Sequence, residues 1–341
     1  MMPSLPSTAM CVHMDWLVTT GTALLRLTAE ARVVGMQAAA ARCLARAPAD
    51  PRVAFAGLED GQVLRSVDGG RTWSAFAAVP HPVCALAISP WDGSVFAGCE
   101  PSALFKWHGG AAGEARRLTA LEALPSRGTW SFPPRPSTSH VRWIAPAPDG
   151  PALVCGIELG GVLYSPDGGG SWLDQRPGAH ADCHGLAWPA PGWVWEAAGG
   201  GVARSDDGKE WRRCDDGLDR RYVWGLAADP EDPACAIVSA STGPGAAHHT
   251  PGQADACLYL RRGDQPWRRL NGERGAGLPE RFDHLPTVLA GVPGEPGHVV
   301  AWLRDGQAWE TRDAGGEWAR LRGPLPGSVS LGASVAVGEP T

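Results

Sequence analysis

The densest group of metal-binding and proton-transferring side chains in this sequence is His180-Ala181-Asp182-Cys183-His184. In an extended segment, positions 180, 182 and 184 project to one side, because successive side chains of a strand alternate. Imidazole and carboxylate together suit Zn²⁺, Mn²⁺ or Fe²⁺, and with further oxygen donors Ca²⁺. The plainer reading makes 180 and 182 solvated loop residues and His184 a strand cap. Cys183 falls on the opposite side, so it is expected to be buried rather than nucleophilic. Glu158 stands in the apolar run Cys155-Gly-Ile-Glu-Leu-Gly-Gly161. A carboxylate there has a raised pKa unless it is paired or bound to a cation. It reads as a general base or ligand, or as the salt-bridge partner of Arg142. Arg142, beside Trp143, is also suited to anchoring a substrate carboxylate or phosphate. The pair His248-His249 ends the stretch Thr242–His249, which reads as a lid or as a tolerated insertion. No Gly-x-Ser-x-Gly elbow and no Gly-rich phosphate loop accompanies these residues.

Such residues need elements to hold them, and a repeat supplies the elements. Four segments share one pattern: Ser66-Val-Asp68-Gly-Gly70-Arg-Thr72-Trp73, Ser165-Pro-Asp167-Gly-Gly169-Gly-Ser171-Trp172, the shorter Ser205-Asp-Asp207-Gly208-Lys-Glu-Trp211, and Thr311-Arg-Asp313-Ala-Gly315-Gly-Glu317-Trp318. Each follows an apolar strand signature such as Gly161-Val-Leu-Tyr164. In a turn of this kind the carboxylate accepts backbone N–H bonds and the glycines supply positive φ. The four aspartates are spaced by 99, 40 and 106 residues. Halving the two long gaps gives a period of about 50 residues, which is blade-sized. Ala103–Leu118 and Cys257–Leu270 carry the strands of the degenerate units so implied, and Asp15–Leu27 supplies a further one. Units open on a second phrase, as in Val83-Cys-Ala-Leu-Ala, His184-Gly-Leu-Ala and Trp224-Gly-Leu-Ala.

Short antiparallel strands at this period make β-propeller blades. The expected fold is therefore all-β, a seven-bladed propeller in a single domain over 1–341. Its blades fall roughly at 11–47, 50–78, 82–120, 140–175, 182–215, 222–271 and 285–322, with four strands each. Residues 328–337 are left as a lone strand that closes the ring against the first blade and removes an open edge. Long loops are expected at 119–140, 241–256 and 271–286. Only Thr28–Ala47 is helix-permissive, and its Val33-Val34-Gly35 favours strand.

Composition narrows the function. Of 341 residues, 44% are apolar and 16 are Trp, enough for a large core despite 45 Gly and 31 Pro. The net charge of −6, with no Lys/Arg run longer than two, argues against nucleic-acid binding. No stretch approaches the ~20 apolar residues of a membrane span, and Met1–Met14 lacks the pattern of a secretory signal. Nine scattered Cys without C-x-x-C argue for buried reduced thiols in the cytoplasm.

The four repeated segments resemble the Asp-box, or BNR, repeat Ser-x-Asp-x-Gly-x-Thr-Trp. The chain as a whole is similar to bacterial sialidase-like or BNR-like repeat proteins of undefined activity. Asp-box propellers include sialidases, sortilin-type receptors, xyloglucan-cleaving glycosidases and a photosystem II assembly factor. The resemblance thus implies a fold and no single activity. It also implies that the box aspartates are structural, on outer turns away from the usual site. A true sialidase is not expected: Arg-Ile-Pro does not occur, and Tyr164, Tyr222 and Tyr259 lack the context of that family's Tyr–Glu nucleophile pair.

In a propeller, the loops entering the inner strands and those joining second to third strands surround the central channel on one face. That mapping gathers His140, Arg142, His180, Asp182, His184, Arg221, Tyr222, Trp224, Asp283 and His284 from the first kind. The second kind contributes Glu59, Glu100, Glu158, His248, His249 and Asp305. The expected function is binding of a small molecule or saccharide, with hydrolase- or lyase-type chemistry at the channel. Glu158, Arg142 and Tyr222 are then catalytic, and Trp224, Arg221 and His284 bind substrate. His180, Asp182, His184 and His248 hold a divalent metal (Zn, Mn, Fe or Ca). The alternative is a non-catalytic scaffold that presents its rim to a protein partner. A monomer without nucleic-acid or membrane partners is expected in either case.

Overall fold

The computed structural model describes residues 14–110, 113–321, 325 and 334–338. These form seven antiparallel sheets arranged in a ring, a seven-bladed β-propeller. The innermost strands are Ser334–Gly338, Ala41–Arg46, Val83–Ile88, Val141–Pro146, Cys183–Ala190, Tyr222–Ala228 and Pro286–Gly291. Each packs on the next around the ring, and the last packs on the first. The first blade is closed from the far end of the chain: Ser334–Gly338 pairs with Met14–Thr19, Trp16 facing Ala336. The expected closing strand was 328–337; its residues 328–333 lie outside the described residues, as does Cys11.

One boundary and one strand count differ from the expected division. Ala41–Arg46 belongs to the second blade, where Leu44 faces Ala56; the first blade instead takes its inner strand from the C-terminal end. The helix-permissive stretch resolves into the strands Val33–Ala38 and Ala41–Arg46. The fourth blade has three strands, not four. Its fourth position is reduced to one bridge between Tyr164 and Leu173, because the next residue, Asp174, turns away to cap Ser126 of the 119–140 loop at 2.8 and 2.5 Å.

The core lies between blades rather than within one. Phe55 and Phe76 of the second blade meet Phe105 and Trp107 of the third, and Trp16 meets Trp302 edge-on at 6.1 Å across the first–seventh junction. Burying side chains of this size is worth about 1.5–3 kcal/mol each. The eight described cysteines are free thiols, buried except for half-buried Cys84.

The repeated Ser/Thr-x-Asp turns pin neighbouring blades together. Asp68 accepts from Ser66 Oγ (2.8 Å), Thr72 N (2.9 Å) and Thr72 Oγ1 (2.6 Å), while Gly70 N donates to Ser66 Oγ (2.8 Å). The Asp167 turn repeats the set through Ser165, Ser171 and Gly169. The shorter Asp207 turn lacks the Thr/Ser position and draws Lys209 N instead, at 2.9 Å. Gly70 (φ 79°) sits against Leu17 of the preceding blade, so closely that a Cβ would lie 2.2 Å from a Leu17 methyl; Gly169 (φ 92°) sits likewise against Leu118. A side chain would be excluded at both by conformation and by space.

Candidate functional site

The channel wall is built by one irregularity repeated in six blades. Each inner strand carries one extra residue near its start that its partner strand does not match. Ala41 and Cys43 face the consecutive Leu58 and Gly57, leaving Arg42 between them. The same slip isolates Cys84, Arg142, His184 and Thr287, and it places Trp224-Gly225 opposite a single residue. Bulges of this kind bend the strand and re-aim a side chain.

Three of the expected residues come together there. Glu158, Asp182 and His184 each offer a donor atom, and these atoms lie within 4.8 Å of one another. Glu158 arrives from the loop after Leu153–Ile157, and Asp182 from the residue before the fifth inner strand. His184 is 1% exposed. Its Nδ1 is 2.7 Å from the Val223 carbonyl, which fixes Nδ1 as the donor and Nε2 as the free position. Nε2 is buried without a hydrogen-bond partner and faces Asp182 Oδ1 at 3.4 Å. Two lone pairs cannot face each other in a buried site, so either a proton or a cation belongs between them.

The surrounding charges set the carboxyls apart. Burial pushes Glu158 up, against the pull of Arg142 and His184. Burial also raises Asp182, but His184 and Arg142 more than offset it and hold that carboxyl below its usual range. His140, 3% exposed, lies 3.4 Å from Glu158 through Nε2. Burial and the Arg142 charge push its pKa down to about 2, so it stays neutral. Arg142 approaches Glu158 at 3.8 Å and lies over the Trp224 ring at 4.8 Å.

An aromatic wall completes the mouth. Trp224 is 4.5 Å from the His184 ring and 4.5 Å from the His248 ring. Tyr222 Oη is 3.0 Å from His248 Nε2. Burial pushes Tyr222 up and His248 down to about 4, so at neutral pH both are uncharged and the phenol keeps its proton. The Thr242–His249 segment is held by Arg304, which donates to the His248 carbonyl at 2.9 Å.

Other expected residues are placed elsewhere. His180 precedes the strand, so the alternation argument does not reach it. Its Nδ1 and backbone N are both engaged with the buried Glu196, at 3.1 and 3.0 Å. Its Nε2, like that of His184, is buried without a hydrogen-bond partner, but the structure does not bring it into the Glu158–Asp182–His184 group. His248 meets the cluster through Tyr222 and Trp224, not through a carboxylate. Arg221 pairs with Asp215 on the exposed rim, and His284 with Asp305. Cys183 is fully buried against Gly156, and burial raises its thiol far above the usual value.

His140 was expected at the channel without a role, and Arg42, Cys84 and Arg135 were not singled out. Arg42 reaches Glu59 (3.3 Å) and Glu100 (3.5 Å), and Arg135 of the 119–140 loop binds Glu100 with two bonds of 2.6 Å. A signal for the bulged set does exist. In six inner strands a Leu-Ala or Ile-Ala pair follows two residues after the bulge position: Arg42, Cys84, Arg142, His184, Trp224 and Thr287.

No family model matches the sequence, and no curated protein matches it significantly. The fold has many relatives among solved structures. A GH74 xyloglucanase from Xanthomonas campestris superimposes with a TM-score of 0.65 at 15% identity, over 96% of this chain and 53% of that one. The chain thus spans about half the length of that enzyme. YCF48 bound to a D1 peptide gives 0.55 at 13% identity, over 93% and 87%. The WD40 repeats of RRP9 give 0.59 at 14% identity, over 88% and 85%. Likeness at this level carries the propeller fold alone. No helix among the described residues is long and apolar enough to cross a membrane.

Proposed function

We propose that this chain is an Asp-box propeller that holds a divalent cation at its channel mouth. The ligands are Glu158, Asp182 and His184, and the chemistry is of hydrolase or lyase type on a small molecule or saccharide. The observation that carries the reading is the buried, unpartnered Nε2 of His184 facing Asp182, with Nδ1 already committed to a backbone carbonyl. Metal-bound histidines commonly donate their second nitrogen in this way. One nitrogen and two carboxylates suit Mn²⁺, Fe²⁺ or Zn²⁺ better than Ca²⁺, which takes six to eight oxygens. Such ions need donors at roughly 2.0–2.2 Å, so the three side chains, whose donor atoms now lie within 4.8 Å of one another, would close in around the ion. A cation there would supply Lewis acidity or an activated water. Tyr222, hydrogen-bonded to His248, is placed to give a proton to a leaving group. The reading takes the chain as a cytoplasmic monomer with its thiols reduced.

Elemental analysis of protein purified without a His tag tests this directly. Stoichiometric Mn, Fe or Zn that is lost in His184→Ala supports it. Metal-free protein whose melting temperature ignores Mn²⁺ and Zn²⁺ rejects it.

A second reading, an interaction scaffold, draws on the outer strand Val33–Ala38. That strand exposes Val33, Val34 and Met36, the last at 72%. A complex in which a partner protects these residues, with no metal at the channel, would favour it.

A further inference from the structure

We infer that the ligand this site takes is a small carboxylate, held between the cation and the Arg142 guanidinium. The inference rests on the cation reading above and adds the substrate class.

Arg142 is the reason. It stands on a bulge beside the cluster with its side chain 25% exposed, so most of the side chain is out of water. Its Nε is buried without a hydrogen-bond acceptor. Among the described residues Glu158 is the carboxylate within 4 Å of it, at 3.8 Å, too far to accept a hydrogen bond. The guanidinium rests instead over the Trp224 ring, which covers one side of it. A guanidinium oriented this way, with its donors unspent, matches a planar carboxylate through two parallel N–H···O bonds.

Charge points the same way. When a dication is bound, the Glu158 and Asp182 carboxylates cancel it and Glu158 is drawn to the metal. The positive charge of Arg142 is then left uncompensated in a half-buried site. A monoanion would neutralise it, and one carboxylate oxygen would fill an open position on the cation. A neutral sugar or alcohol would leave the guanidinium unpaired, at the cost attached to any buried charge without a partner.

The test pairs ligands that differ only in the anion. Tag-free protein, stripped with EDTA and reloaded with Mn²⁺, is titrated calorimetrically with glucuronate and with glucose, then with benzoate and with benzyl alcohol. Mn²⁺ retention is read separately by electron paramagnetic resonance. The carboxylate of each pair is expected to bind at least about tenfold tighter than its neutral partner, the scale of one charge-assisted contact. Arg142→Gln should sharply lower that preference while retaining Mn²⁺, and Arg142→Lys, which keeps the charge but not the fork, should restore part of it. Equal binding of acid and neutral partner overturns the inference, as does an undiminished preference in Arg142→Gln. Tighter binding of inorganic phosphate than of either carboxylate overturns the carboxylate assignment. If Mn²⁺ is retained but no carboxylate binds, the inference fails and the cation reading survives. If Mn²⁺ is not retained and glucuronate still binds through Arg142, the cation reading fails and the anion site stands.

Discussion

The outer turns and the channel mouth solve opposite problems with the same polar residues. At Asp68 and Asp167 every partner of the carboxylate lies within four residues along the chain, and its bonds are complete. At the mouth, Glu158, Asp182 and His184 come from two blades, and the neighbouring Trp224 ring comes from a third. There the polar groups are left unsatisfied: Nε2 of His184, Nδ1 of His140 and Nε of Arg142 are buried without acceptors or donors. Satisfied polar groups hold a structure together. Groups held unsatisfied by a rigid frame are set to receive something, and a small number of such atoms at one place is where function is looked for.

His180, near the mouth, breaks the contrast most sharply, because its Nδ1 and backbone N are committed to Glu196 while its Nε2 is also unpartnered. His180→Ala strands the fully buried Glu196, and about 3 kcal/mol of stability should be lost. Chemical denaturation measures that loss, and cation binding by the folded fraction should be unchanged. His184→Ala should do the reverse. Affinity for Mn²⁺ is expected to fall by at least about 100-fold, since losing a ligand should cost no less than the roughly 10–100-fold of losing a ligand's outer partner, with a much smaller change in melting temperature. If His184→Ala instead unfolds the protein while cation binding is absent in the wild type, the mouth is as structural as the turns.

Smaller effects belong to the turns. Asp68→Ala should cost about 1–2 kcal/mol, the range for losing several bonds at a partly exposed carboxylate, and should leave ligand binding at the mouth untouched. The pH dependence of that cost has a definite sign. Asp68, Asp167 and Asp313 have carboxyls held below the usual value, against the cost of burial, by bonds from their own turns. A folded value below the unfolded one, about 3.9, means the unfolded chain takes up protons first as pH falls. The contribution is therefore full above about pH 4 and is lost as pH drops through the depressed folded values. Melting curves of wild type and Asp68→Asn should converge below pH 4 and stay separated at pH 7.

The turns were legible in the sequence for the reason that makes them structural. Their partners are neighbours in the chain, so Ser66, Asp68, Gly70 and Thr72 form a readable word, and four such words fix the blade period and hence the ring. The mouth was legible only as a set of loops. Asp182, His184 and Glu158 were brought within the same neighbourhood by blade geometry, but the alternation that placed His180 with them fails because the strand begins at Cys183. Which residue a bulge aims inward depends on pairing with a strand some 15 residues away, as His184 depends on Ala197 and Ala198, and no local pattern in one strand reports that. The closing strand was legible as a lone strand at the end, but that it replaces Ala41–Arg46 as the first blade's inner strand was not, because that pairing spans more than 300 residues.

The six bulges also say how such a ring can change its trade. Arg42, Cys84, Arg142, His184, Trp224 and Thr287 occupy equivalent places, each released from its ladder while the residues on either side stay paired. Replacing one of them alters what lines the channel without altering the sheets that enclose it. The frame and its chemistry can therefore drift separately, blade by blade, so that two propellers of one shape come to share neither ligand nor reaction.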